Sequence, residues 1–256
     1  VFITGEVHIV TNNHVVENAV EIEIITDNGS VIDAELVGTD PETDLAVLKV
    51  KNDGTYPFVD FGSSKQLRRG DWVVAVGSPL GFSGTATAGI VSALGKPGDF
   101  RRSQTYTDYL QIDAAINRGN SGGPTFDMNG RVVGVNTWIA STTGGSIGLG
   151  FAIPSELVDQ VTATLIDKGK VSRGWLGVTI TNVDEDMAEA VGLKDAKGAI
   201  VTQVTEGSPA EDSGLERGDI IVKINGQEVD DATITTRVFG SLLAGSNNRF
   251  ELYRDG

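Results

Sequence analysis

From residue 20 onward the apolar side chains recur at every second position in short runs broken by turn residues, a pattern that pleated strands bury and helices do not. Val20-Glu21-Ile22-Glu23-Ile24 alternates strictly, Asp27-Asn28-Gly29 supplies a hairpin-type turn, and further strand-like runs cover 71–76, 84–94 and 131–137. The 33 glycines suit such a turn-rich, mainly β chain. The period changes at 155–169, where Leu157, Val161, Leu165 and Ile166 fall at helical spacing between Ser155, read as the cap, and Gly169, read as the stop. That helix is expected to close a first domain, residues 1–169, and 170–174 reads as a linker. From Trp175 to Gly256 a compact mixed module follows. Its strands are expected at 175–181, 199–204, 219–224 and 249–254, with a short helix from Ser208-Pro209 to Gly214 and a longer one near 231–243.

The chemistry is concentrated in Gly119-Asn120-Ser121-Gly122-Gly123-Pro124. A nucleophilic serine needs its hydroxyl held out on a tight turn, and flanking glycines permit backbone angles and close approaches that a Cβ resists. The same turn aims the amides of Gly119 and Ser121 toward one point, the geometry of an oxyanion hole. A base must accompany the serine, and the chain has 2 histidines. His8 sits in Val7-His8-Ile9-Val10 and reads as a strand residue; His14 follows Thr11-Asn12-Asn13, where a strand runs into polar cap-forming residues at the edge of a cleft. His14 is the candidate base. The carboxylate that fixes the imidazole tautomer is Asp44, because a polar turn enters the apolar strand Leu45-Ala46-Val47-Leu48 at that residue. Asp40 and Glu42 read as solvated turn residues. The order His14, Asp44, Ser121 is that of chymotrypsin-like double barrels and differs from subtilisins and α/β-hydrolases.

Five blocks in the right order then resemble the HtrA/Deg family of serine proteases that carry a PDZ domain. They are Thr11-Asn12-Asn13-His14-Val15-Val16, Asp44-Leu45-Ala46-Val47-Leu48, Gly77-Ser78-Pro79, the run from Asp113 to Pro124, and Gly150-Phe151-Ala152-Ile153-Pro154. The resemblance covers nearly the whole chain. It implies a chymotrypsin-like double six-stranded β-barrel followed by a PDZ domain, acting as an ATP-independent endopeptidase on misfolded or unfolded proteins, with chaperone activity, in the bacterial periplasm. It implies a homotrimer or a larger assembly built from trimers. It places the carboxylate-binding loop for peptide C-termini at Trp175-Leu176-Gly177-Val178 and a primary specificity pocket at Ile116, Thr137 and Leu149. Gly148-Leu149-Gly150-Phe151 spells a PDZ loop signature but lies upstream of the linker helix and is assigned to the protease. Ala115, six residues before Ser121, offers no counter-charge to a basic side chain, so cleavage after small or medium aliphatic residues is expected. The polar stretch from Gly95 to Thr107 is the candidate moving loop near the active site.

Composition sets outer bounds. A formal charge of -15 disfavours nucleic acid and anionic membranes as partners, and no apolar run approaches the ~20 residues of a membrane span. The absence of cysteine excludes disulfides, a cysteine nucleophile and a Cys-based zinc site. No cofactor or metal is expected: no Gly-Lys-Ser or Gly-Lys-Thr supports an ATP loop, Asp60-Phe61-Gly62 lacks the rest of a kinase, and Asp184-Glu185-Asp186 reads as a helix start instead of a calcium loop. The chain opens on Val1-Phe2-Ile3 without a methionine or signal peptide and stops at Arg254-Asp255-Gly256, short of the last strand expected of a PDZ domain; it reads as a mature or trimmed piece. Two other readings share these residues, a catalytically silent holdase and a PDZ scaffold that binds peptides only.

Overall fold

A computed structural model describes residues 1–256 apart from 4–6, 27, 53, 80–83, 96–106, 243–244 and 255–256. The chain divides into two compact units, Val1–Val171 and Ser172–Gly256. In the first, β1 (His8–Thr11), α1 (Asn13–Val16), β2 (Ile22–Ile25), β3 (Val31–Asp40) and β4 (Leu45–Val50) are followed by a 3-10 turn (Ser64–Gln66). Then come β5 (Trp72–Gly77), β6 (Thr85–Leu94), β7 (Leu110–Ile112), β8 (Pro124–Phe126), β9 (Val132–Ile139), β10 (Gly150–Pro154) and α2 (Ser155–Lys168). The last six strands close into a barrel, β10-β7-β6-β5-β8-β9, and the first four form a sheet in the order β1-β4-β3-β2. The expected mainly β architecture is present. The first half carries four strands where the double-barrel expectation had six, because residues 51–63 form no ladder among the described residues and make only the bridge of Phe61 to Val132, while Phe2 adds a single bridge to Ile9. The candidate moving loop falls almost wholly on 96–106, outside the described residues.

The two halves share a core. Val10, Leu45 and Val47 from the sheet meet Tyr109, Val135, Trp138, Phe151 and Ile153 from the barrel, and Val158, Val161 and Leu165 of α2 cover the joint. Trp138 and Phe151 stack at 3.9 Å, with Tyr109 edge-on to both. A lone helix of this length is marginal in water, but fully burying a Val or Leu side chain contributes about 1.5–3 kcal/mol. The apolar face of α2 therefore holds it in place. Gly169 ends the helix at φ 68 with its amide on the Leu165 carbonyl, 2.8 Å away.

Two polar assignments change in three dimensions. Ser155 is the first helical residue and not the cap, which is Pro154; its hydroxyl donates to the Gly62 carbonyl at 2.8 Å and accepts the Ser64 amide at 3.1 Å, so it ties α2 to the 3-10 turn. Asp40, expected in solvent, is 2% exposed at the end of β3 and accepts the Thr43 hydroxyl at 2.5 Å, closing the turn that leads into β4; Glu42 is exposed as expected.

In the second unit β11 (Val178–Asn182), α3 (Glu185–Ala190), β12 (Ala199–Val204), α4 (Pro209–Asp212), β13 (Ile220–Ile224), β14 (Gln227–Glu228), α5 (Ala232–Ser241) and β15 (Phe250–Tyr253) build a five-stranded sheet. Its order is β11-β12-β13-β14, with β15 on β13. Asp184, Ser208 and Asp231 cap α3, α4 and α5 by accepting the amides of Met187, Glu211 and Ile234. The first strand begins at Val178, three residues later than the pattern predicts. The carbonyls of Leu176 and Gly177 accept the amides of Ala210 and Thr205, and Gly177 sits at φ 83, so 175–177 is a loop.

Glu156 provides a test of the contact between α2 and the 3-10 turn. Burial pushes its carboxyl up, but bonds from the Ser63 and Ser64 hydroxyls and the Lys65 amide outweigh this and hold it at about 2, against an ordinary 4.5. A group held low in the folded state stabilises above its unfolded value and loses that effect as pH falls through the folded one. Glu156→Gln is therefore expected to lower the melting temperature at pH 7, with the gap to the parent chain narrowing as pH falls from 4.5 toward 2. A gap independent of pH would show that the charge is not what binds.

Candidate active site

The site is assembled from loops at the ends of strands in both halves of the first unit. β1 runs into Asn12 and the single turn α1, which carries His14; the turn before β4 carries Asp44; the loop between β7 and β8 carries Ser121. His14 Nδ1 lies 2.7 Å from Asp44 Oδ2 and 3.0 Å from Oδ1, and the His14 amide donates to Oδ1 at 3.0 Å. Asp44 adopts φ 58, a left-handed backbone that few non-glycine residues hold, and its carbonyl accepts the Asn13 amide at 3.1 Å and the Asn12 side-chain amide at 2.9 Å. Burial pushes the Asp44 carboxyl up; the bonds from the His14 ring, the Thr137 hydroxyl and the His14 amide outweigh it and hold the carboxyl below the ordinary 3.8. The carboxylate side chain is 10% exposed and the imidazole 46%, so an ionised acid lies behind a ring whose outer edge is open to solvent.

The serine turn is held by its own glycines and by Asn136. Gly119 stands at φ 104, where a Cβ would run into the Ser78 carbonyl oxygen, and its own carbonyl accepts the Ser78 amide at 3.1 Å. Gly122 donates to the Asn136 carbonyl at 2.9 Å, and Asn136 returns its amide to Gly123 at 2.8 Å. The amides of Gly119 and Ser121 donate to no group among the described residues. Ser121 Oγ donates to the Thr137 carbonyl at 3.1 Å, and no hydrogen bond joins it to the His14 ring.

The family resemblance implies a substrate pocket at Thr137; in the structure its side chain turns to Asp44. The buried hydroxyl donates to Asp44 Oδ2 at 2.6 Å, so one residue touches Asp44 through its hydroxyl and Ser121 through its carbonyl. The available signal was Asn136-Thr137, two polar residues inside the buried apolar strand β9. Ile116 is 2% exposed and packs in the barrel core with Ala114 and Ile112, while Leu149 is half-buried against the shared core. His8 is buried in β1 opposite Lys49. Among the described residues the one acidic trio close enough to share an ion, Glu21, Glu23 and Asp33, is exposed at the start of β2 and on β3 and contains no member of the His14, Asp44 and Ser121 group.

In the second unit Trp175 is 63% exposed and Gly177 is buried, with no space for a Cβ beside Ser208. The amides of Leu176 and Gly177 donate to no group among the described residues, and β11 is an edge strand of the sheet.

Residues 1–135 match the trypsin-like peptidase domain family and residues 170–256 the PDZ domain family. The chain is 47% identical over its whole length to a "probable periplasmic serine endoprotease DegP-like" of Bartonella henselae and 48% identical to one of Rhizobium meliloti; it spans 50% of each, about half the length of these curated relatives. Among solved structures it is similar to the HtrA-type protease AlgW with tripeptide, at TM-score 0.89 and 40% identity over 100% of this chain and 84% of that one. The serine endoprotease from Yersinia pestis gives 0.74 and 33% over 100% and 83%.

Removing the Thr137 hydroxyl while keeping its shape tests the carboxylate's surroundings. Thr137→Val takes one lowering bond from Asp44, so the carboxyl should rise toward 3.8 in an NMR titration. Labelling of Ser121 by a serine-directed phosphonate should slow about tenfold, near the low end of the ~1.5–3 kcal/mol expected for a hydrogen bond to a charged group. Unchanged titration and labelling would show that the hydroxyl contributes nothing.

Proposed function

The chain belongs to the HtrA-type trypsin-like serine proteases, and we propose that it is an ATP-independent endopeptidase acting on unfolded proteins in the periplasm, with a peptidase domain at 1–169, a linker at 170–174 and a PDZ domain from 175. The observation that carries this reading is Thr137, which links an ionised, His14-bound Asp44 to the glycine-framed Ser121 through one residue. In the proposed mechanism Ser121 Oγ leaves the Thr137 carbonyl, turns to His14 Nε2 and attacks a peptide carbonyl as the imidazole takes its proton. Asp44 holds the ring at Nδ1 and stabilises the imidazolium, which then protonates the leaving amine. The amides of Gly119 and Ser121 receive the oxyanion, each such donor lowering the barrier by about 2.7–4 kcal/mol.

The periplasmic assignment rests on the names of the relatives. Assembly as a homotrimer, or as a larger particle of trimers, rests on the family resemblance. In the PDZ domain a peptide C-terminus adds a strand at the β11 edge, with its carboxylate on the amides of Leu176 and Gly177. A second reading, a silent holdase, is favoured by one observation: the Ser121 hydroxyl is bonded to Thr137 and not to His14.

Digestion of unfolded casein separates the two. The parent chain should cleave after small or medium aliphatic residues and Ser121→Ala should not; binding without cleavage by both chains would select the holdase, and faster cleavage after lysine or arginine would overturn the specificity. For the PDZ loop, Gly177→Ala places a Cβ against Ser208 at a left-handed position. It should weaken binding of a fluorescent C-terminal peptide by tenfold or more on the order of the ~1–3 kcal/mol such strain costs, and unchanged binding would move the carboxylate site elsewhere.

A further inference from the structure

Asn12 occupies the N-cap of α1, a position where asparagine ordinarily accepts an amide of the first helical turn, yet its side chain makes no capping bond. The amide it would cap, that of His14, is taken by the Asp44 carboxylate at 3.0 Å, and the Asn12 side chain instead donates its Nδ2 proton to the Asp44 carbonyl at 2.9 Å. The two residues have exchanged partners: Asp44 caps the helix and Asn12 caps Asp44. The exchange fits what Asp44 requires. At φ 58 its backbone is held in a conformation it does not favour, and the carbonyl that Asn12 binds belongs to that same residue.

Burial sharpens the argument. Asn12 is 0% exposed, and its Oδ1 meets no hydrogen-bond donor among the described residues. A fully buried amide satisfied at one end is unfavourable compared with an apolar side chain of the same size, so packing does not account for asparagine here. Its one bond goes to Asp44. The Asn12 backbone also abuts the serine turn, because a Cβ at Gly122 would meet the Thr11 hydroxyl and the Asn12 main-chain nitrogen. We infer that Asn12 is a positioning residue for the catalytic group: its side-chain amide fixes the left-handed backbone of Asp44, and through it the carboxylate that orients His14.

This inference rests on the proposed serine-protease reading, so the test has an arm that needs no turnover. In the Ser121→Ala chain, the proton shared between His14 Nδ1 and Asp44 is followed by low-temperature proton NMR as a far-downfield signal, with and without Asn12→Ala or the milder Asn12→Ser. The signal is expected to be lost or broadened in both variants while thermal unfolding stays cooperative. A signal unchanged in either folded variant overturns the inference, whatever the activity. In the Ser121-containing chain, kcat on a peptide substrate should fall about 10- to 100-fold, as for small misplacements of a catalytic group, with KM within twofold. An unchanged kcat, or a loss confined to KM, overturns it also. An inactive parent chain that keeps the NMR signal and loses it on Asn12 substitution would sink the protease reading and leave the Asn12 to Asp44 link intact.

Discussion

Asp44 is the residue on which the architecture of the candidate active site stands. Its carboxylate takes the His14 ring, the His14 amide and the Thr137 hydroxyl, and its carbonyl takes Asn12 and Asn13. A carboxylate this enclosed stays ionised only when donors replace the water it has lost, and here they do so well enough to keep it below its ordinary range. The same bonds close the strand-to-helix corner that presents His14. Charge stabilisation and backbone geometry are thus one arrangement, and disturbing either disturbs both.

The barrel and the sheet contribute different things to this centre. The sheet supplies the histidine and its acid from loops on β1 and β4, and the barrel supplies the serine turn and, through β9, the residue that meets both. Neither half holds a complete set. The joint between them is an aromatic and aliphatic core under α2, and protein interiors of this kind transmit small displacements because they have little free volume. The tight glycines of the serine turn follow from the same close packing. A Cβ at Gly123 would strike the Val76 carbonyl, so that turn is pressed against β5.

Much of this is legible in the sequence, for identifiable reasons. The strand periods, the 155–169 helix and the short capped helices of the second unit are local features, and they appear within a few residues of where the pattern puts them. The pairing of His14 with Asp44 is legible because two histidines leave few combinations and Asp44 stands at the mouth of an apolar strand. What is hidden depends on residues far apart in sequence. Thr137 reaches Asp44 across 93 positions, and Ser155 reaches Ser64 across 91, so no local pattern announces either. Asp40 looks like a solvated turn acid until Thr43 folds back onto it. The first strand of the second unit is shortened by amides from Thr205 and Ala210, which the alternating pattern at 175–181 does not contain.

The stacked pair of Trp138 and Phe151 gives the molecule its own optical reporter. Trp138 is 9% exposed in the core that both halves share, whereas Trp72 and Trp175 are 60% and 63% exposed. Separation of the halves would bring water to one indole and leave the environment of the other two largely unchanged. The long-wavelength shift of the tryptophan emission therefore follows the integrity of that joint, and with it the frame that keeps Asp44, His14 and Ser121 in register.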